Sequence, residues 1–192
     1  HAFFRRQRQM CIRDSYKTLS EIDIGSWKPK KFKEQRVPKL EEVLSNMPKR
    51  KMMFIEVKGV LKKVEDLMAL IESSKVNKNQ IHFLCYLPSM IKKLKKKFPS
   101  YNATLNLIPS LFNYDLKKIK NEISRSQSDG ISVHIDSKQS IKLVKNLKED
   151  NIFILAWTVN DKRFMKKLLQ IGVNGIITDF PEKLAKLLGK CE

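Results

Sequence analysis

From residue 51 onward the chain alternates short apolar runs with stretches whose apolar residues recur every three or four positions. The runs MMFIEVK (52–58), IHFLCYL (81–87), ATLNLI (103–108), GISVHI (130–135), IFILAWTV (152–159) and GIITDF (175–180) have strand length and strand composition. Between them, VEDLMALIESS (64–74), MIKKLKKKF (90–98), LKKIKNEI (116–123), SIKLVKNLKE (140–149) and FMKKLLQIG (164–172) carry the helical period. Capping residues stand where helices should start: Asp136 or Ser137 before one, Asn160 or Asp161 before another, and Pro181 in a first turn. Strands that alternate with helices across short connections predict an α/β fold, a parallel sheet with helices outside it. A barrel and an open doubly wound sheet both satisfy this pattern. No glycine-rich phosphate loop follows any of the strands, which weakens a nucleotide-binding version.

The first fifty residues follow another pattern. KLEEVLSNM (39–47) predicts a helix after Pro38, whereas SEIDIGSWKPKKFKEQRVP (20–38) reads as loop. HAFFRRQRQMCIRDS shows neither period, and it gathers arginine in a chain that otherwise favours lysine. The chain starts at His1, and RQRQMCIRDS resembles translated sequencing-adapter sequence. Residues 1–14 are therefore expected to be a non-native leader, with native sequence from about Ser15.

Composition narrows the class. Apolar residues make up 42% and charged residues 31% of the 192, the balance of a globular domain with a substantial core. No apolar run approaches the roughly 20 residues that a membrane-spanning helix needs, so no transmembrane segment is expected. The start also lacks the apolar core of a signal peptide. Cys11, Cys85 and Cys191 have no metal-like spacing, and their odd number fits reduced thiols in a cytoplasmic protein. The formal net charge is +19. Such an excess admits nucleic acid or an anionic surface as partner. The lysines, however, are spread along nearly every predicted helix. A single-strand binding surface would gather them with interleaved aromatics. Solvated helix faces are expected, with no specific nucleic-acid partner.

One strand raises a question of its own. In KMMFIEVKG (51–59), Phe54, Glu56 and Lys58 alternate with Met53, Ile55 and Val57, so the two sets face opposite ways. One face is apolar, and the other turns ionic just before Gly59. Unpartnered charges are costly to bury, so the pair either lies wet on a sheet edge or serves a site.

The order of motifs favours a site. EIDIGSW (21–27), RVPKLEEVL (36–44), FIEVKG (54–59), AWTVND (156–161) and GVNGIITDFPEKL (172–184) together resemble the glycerophosphodiester phosphodiesterase family, over roughly Ser15 to Leu188. The resemblance implies an incomplete (β/α)8 barrel of the TIM type. The chain would supply about the last six β/α units, with a loop region over 15–50 and a partial barrel over 51–192. It implies hydrolysis of glycerophosphodiesters, small-molecule substrates, to glycerol 3-phosphate and an alcohol, with a divalent metal ion, Ca2+ or Mg2+. In the family the glutamate of the E-x-K motif ligates the cation and the lysine lies beside the phosphate. That assigns metal binding to Glu56 and a catalytic, substrate-binding role to Lys58. The chemistry is consistent, because a hard cation wants carboxylate oxygens. A cation and an ammonium also stabilise the charge that develops on an attacked phosphodiester. The family's tryptophan at this strand end gives Trp157 a substrate-binding role, beside its reading as a core aromatic.

Other family motifs have no counterpart here. The histidines of the HR and HD motifs, which act as acid and base, are unmatched. So is the E-x-D pair that completes the metal site. Glu21, Ile22 and Asp23 spell E-x-D, but Gly25, Ser26 and Trp27 place them in the family's later D-x-G-S-W loop. The fragment is therefore expected to be inactive alone. The alternatives are a non-catalytic truncated barrel and a basic module that binds nucleic acid or anions. Asn160 is expected to cap a helix and Asp179 to serve a turn. His82 and Cys85 should be structural, and His134 a satisfied buried histidine on a face that can reach the barrel mouth.

Overall fold

The computed structural model describes residues 15–189; the expected leader over 1–14 lies outside the described residues. Two units are present: the residues up to Lys51 with Glu65–Val76, and Met52–Val64 with the residues from Asn77 onward.

The first unit is short helices and loop. Helix α1 (Tyr16–Ser20), absent from the sequence reading, starts where Ser15 Oγ accepts the Thr18 N–H at 3.3 Å. Helix α2 (Leu40–Ser45) begins where Glu42 Oε2 accepts the Lys39 N–H at 2.9 Å. Most of α3 (Val64–Ser73) belongs to the same unit. Between α1 and α2 the chain forms a loop with one 3-10 turn at Lys30–Phe32.

The second unit is a six-stranded sheet: β1 (Met53–Glu56), β2 (Ile81–Cys85), β3 (Asn102–Leu107), β4 (Gly130–His134), β5 (Phe153–Trp157) and β6 (Gly175–Ile176). Helices α4 (Pro88–Lys97), α5 (Leu116–Ser126), α6 (Lys138–Glu149), α7 (Lys162–Ile171) and α8 (Pro181–Leu187) follow β2 to β6 in turn. Every neighbouring pair is parallel and the spatial order equals the chain order. A doubly wound sheet would reverse its strand order part-way. Unbroken sequence order is the winding of a (β/α) barrel, here incomplete with six strands.

Packing follows from alternation. Phe83, Leu105, Ile131, Val133 and Ile154 form one set of strand positions, and α4 to α7 return Ile91, Leu94, Ile119, Val144, Met165 and Leu168. All are essentially without solvent exposure. Each such side chain contributes about 1.5–3 kcal/mol on burial. Helix starts are fixed by single side chains. Ser137 accepts the Ser140 N–H and starts α6. Asp161 starts α7 by accepting the Arg163 and Phe164 N–H groups, and with the Arg163 guanidinium beside it its carboxyl drops to about 2. Asp161 is therefore the cap, and the expected cap, Asn160, is engaged elsewhere. No helix among the described residues is long and apolar enough to cross a membrane.

Two polar groups brace the N-terminal strand ends. Lys95 Nζ donates to Pro99 O, Tyr101 O and Asp129 Oδ1 at 2.8–3.0 Å, and Asp129 Oδ2 accepts the Ala103 N–H at 2.7 Å. One ammonium thus ties α4 to the starts of β3 and β4. His82 is buried between the rings of Phe54 (5.1 Å) and Phe153 (5.5 Å), with neither ring nitrogen hydrogen-bonded. Burial pushes its pKa below the ordinary 6.5.

Removing the brace with Lys95→Met strands Asp129 and two carbonyls, so urea unfolding should show a loss of about 1–3 kcal/mol. For His82, the unfolded chain takes up the proton before the folded one does. Stability should therefore be level above the ordinary imidazole value and fall as pH drops below about 6.5. Thermal unfolding of His82→Phe should lose that component of the slope between pH 7 and 5.

Candidate active site

The ladder continues one residue past the end of β1, where the Val57 N–H donates to Leu84 O at 2.7 Å. This extension brings Lys58 back to the side of Glu56, and Lys58 Nζ lies 3.4 Å from Glu56 Oε2. Both side chains are partly exposed, so the ion pair itself adds little stability. Their direction comes from the register. Glu56 pairs with Leu84, Leu84 with Thr104, Thr104 with Gly130, and Gly130 with Phe153. Partners in a parallel ladder share a face, so two steps on Asn106, Ser132 and Leu155 share it too. Two further steps on the four- and five-strand ends bring His134 and Trp157 to the same face. Glu56 and Trp157 therefore project to one side at the C-terminal strand ends, where barrels of this kind place their chemistry.

Asn106 connects β3 to this pair. Its Nδ2 donates to Glu56 Oε1 at 3.4 Å, while its Oδ1 is buried without a partner. Sequence reasoning passed over it, because ATLNLI reads as an apolar run with one interruption. The available signal was parity: Asn106 shares a face with Thr104, so two polar residues point inward from one strand.

Trp157 donates its Nε1–H to Ser132 O at 2.9 Å, and its ring meets His134 at 4.6 Å and Tyr86 edge-on at 6.0 Å. The indole is half-buried. His134 is also only half-buried and its Nδ1 lacks a partner, so it is not the satisfied core histidine that its strand suggested. Beside it, burial works to raise the Asp136 carboxyl. Hydrogen bonds from Ser137 Oγ and Tyr114 Oη, with His134 nearby, outweigh that and hold it below the usual range. On the far rim, Asn160 Oδ1 accepts from Thr178 Oγ1 and the Asp179 N–H, and its Nδ2 donates to Asp179 Oδ2 at 2.8 Å. These bonds clamp the loop after β5 to the loop after β6. A groove of about 470 Å³ between α6 and α7 lies on the helix side of the sheet, away from the mouth.

The donor set bears on a metal ion. Glu56 offers one carboxylate and Asn106 one neutral oxygen. No group of three or more His, Cys, Asp or Glu able to hold a metal exists among the described residues. A hard cation takes six or more oxygens, so these residues do not form a cation site by themselves.

The family model described as the glycerophosphoryl diester phosphodiesterase family matches residues 9–183. The chain belongs to that family. By family it is a phosphoric diester hydrolase. It is 28% identical over 172 residues to the putative glycerophosphodiester phosphodiesterase YhdW of Bacillus subtilis, covering 88% of this chain and 69% of that protein. Among solved structures it resembles a putative glycerophosphodiester phosphodiesterase from Galdieria sulphuraria. There the TM-score is 0.68 at 19% identity, over 92% of this chain and 70% of the other. A phosphodiesterase from Oleispira antarctica, solved with its product sn-glycerol-3-phosphate, gives 0.65 at 19% identity, covering 93% and 72%. These structural likenesses support the barrel fold of the family.

Because Asn106 touches Glu56 as a neutral donor, Asn106→Asp would place two like charges in contact. Unfolding free energy at pH 7 should drop by about 1–2 kcal/mol and recover as pH falls and one carboxylate takes a proton. Urea titrations of both versions at pH 7 and pH 5 check this.

Proposed function

We propose that this chain carries the phosphate-facing side of the active site of an enzyme that hydrolyses glycerophosphodiesters to glycerol 3-phosphate and an alcohol. The observation behind this is the Glu56–Lys58 pair, 3.4 Å apart on the inward face that Asn106 and Trp157 also occupy. The Lys58 ammonium offers N–H donors to the phosphodiester oxygens and offsets the charge they gain as phosphorus is attacked. Glu56 holds Lys58 Nζ at the mouth before substrate arrives, and Asn106 on β3 fixes Glu56 from across β2. Trp157, tied through its N–H, gives the substrate's organic part an apolar wall with little to reorganise.

In this reading Glu56 is one ligand of a divalent metal ion, Ca2+ or Mg2+. The cation's remaining oxygen donors have to come from outside the described residues. The acid and base histidines of the family have no match here: His82 lies at the opposite strand ends, and His134 stands against Trp157. The 192-residue chain is therefore proposed to be inactive alone. A reducing, cytoplasmic setting suits Cys85, which is free, with its thiol pushed up by burial.

Glycerol 3-phosphate release from glycerophosphocholine should stay at background for the 192-residue chain. A chimera that takes its N-terminal segment from the Bacillus subtilis relative should release it. Within that chimera Lys58→Ala should lower kcat by about 100- to 1000-fold. An undiminished rate would remove Lys58 from the reaction and the proposal with it.

A further inference from the structure

The segment Trp27–Lys33, WKPKKFK, has no part in the proposed chemistry. Here lysines and aromatic residues do interleave, unlike the lysines spread along the helices. The segment is the tip of a closed loop. At its base the Ile24 N–H donates to Gln35 O at 2.9 Å. Just inside, both oxygens of Asp23 are fully engaged: Oδ1 accepts the Gly25 and Ser26 N–H groups, and Oδ2 accepts Ser26 Oγ and the Glu34 N–H, all at 2.7–2.9 Å. The Ser26 hydroxyl and these N–H groups hold the Asp23 carboxyl far below the usual range. The two arms approach so closely that a Cβ on Gly25 would stand 1.6 Å from Phe32 O. Turns from Lys28 N to Gly25 O and from Phe32 N to Pro29 O order the tip itself.

A loop built this firmly presents its side chains without a large ordering cost on binding. What it presents is unusual for a water-facing surface. Trp27 is 76% exposed and Phe32 is 41% exposed. Lys28, Lys30, Lys31 and Lys33 surround them, with two acids at the base: Glu34, 4.0 Å from Lys33, and Asp23, whose oxygens are taken up by the loop itself. Exposed tryptophan beside lysine is the pairing that suits the boundary between headgroups and acyl chains, where the ring is half-immersed and the ammonium meets phosphate. Nucleobase stacking would need open ring faces. Here one face of each ring is already taken, with Lys28 Nζ 4.3 Å over the Trp27 ring and Lys31 Nζ 5.1 Å over the Phe32 ring. The indole N–H is also spent on Ile24 O at 2.7 Å. We infer that the Trp27–Lys33 tip seats this protein on the surface of an anionic phospholipid bilayer, with Trp27 and Phe32 immersed at the headgroup level and the four lysines on lipid phosphates.

The test is flotation of the 192-residue chain with vesicles of phosphatidylcholine containing about a third phosphatidylglycerol, against vesicles of phosphatidylcholine alone; each lysine near an anionic surface is worth roughly fivefold. Binding to the anionic vesicles only is expected, with a blue shift in tryptophan emission and release at about 0.5 M salt. Trp27→Phe should float equally well with the blue shift gone, because Trp157 is then the remaining tryptophan. Replacing Lys28, Lys30, Lys31 and Lys33 by glutamine should lower partition at least tenfold with an unchanged circular dichroism spectrum. Failure to float with anionic vesicles overturns the inference. So does equal flotation of the glutamine version, which would put binding in the dispersed helix lysines. Displacement of the vesicles by a single-stranded oligonucleotide that quenches Trp27 would make the tip a nucleic-acid surface and overturn it too.

Discussion

The side-by-side pairing of parallel strands is the constraint from which the rest of the second unit follows. Each step in the ladder commits a residue to one of two faces, and a one-residue slip would exchange them wholesale. Glu56, Asn106 and Trp157 sit on three strands separated by up to a hundred residues of chain. They converge because Leu84, Thr104, Gly130 and Phe153 keep count between them. The same count sends Phe83, Leu105, Ile131 and Ile154 to the helices, where their burial holds the register in place. Core and site are two readings of one alignment.

The strand ends divide the labour. At the N-terminal ends, Lys95 and Asp129 satisfy carbonyls and an N–H that loops would otherwise strand, and His82 fills space between two phenyl rings. At the C-terminal ends, polar atoms are left with capacity to spare: Asn106 Oδ1 and His134 Nδ1 are buried and unbonded. Buried polar atoms without partners cost free energy. The two at this end lie beside Glu56 and Trp157, whereas the unbonded nitrogens of His82 are shut between phenyl rings at the other end.

Much of this was legible in the chain. The period-two run through Glu56 and Lys58 fixed their common side, and the alternation of runs gave the strands to within a few residues. The short strand β6 was harder: GIITDF promised more than Gly175–Ile176, because its later residues bond to Asn160 instead of a neighbouring strand. Asn160 and Asp161 are adjacent and chemically alike, so sequence could not say which would cap and which would clamp. Helix α1 is five residues long, too short for a period to show. The contact between Asn106 and Glu56 spans fifty residues and reaches across β2, so it exists only once the strand order is set. Lys95 hid among five lysines of α4, and its reach to Asp129 depends on where the helix is set down.

Trp157 is bonded through its indole to the carbonyl of Ser132 on the next strand. That single bond joins a surface that can be touched from outside to the alignment of two strands. Pressure on the ring is carried straight into the spacing of β4 and β5, and any shear between those strands tilts the ring. The indole is thus as stiff as the sheet it hangs from.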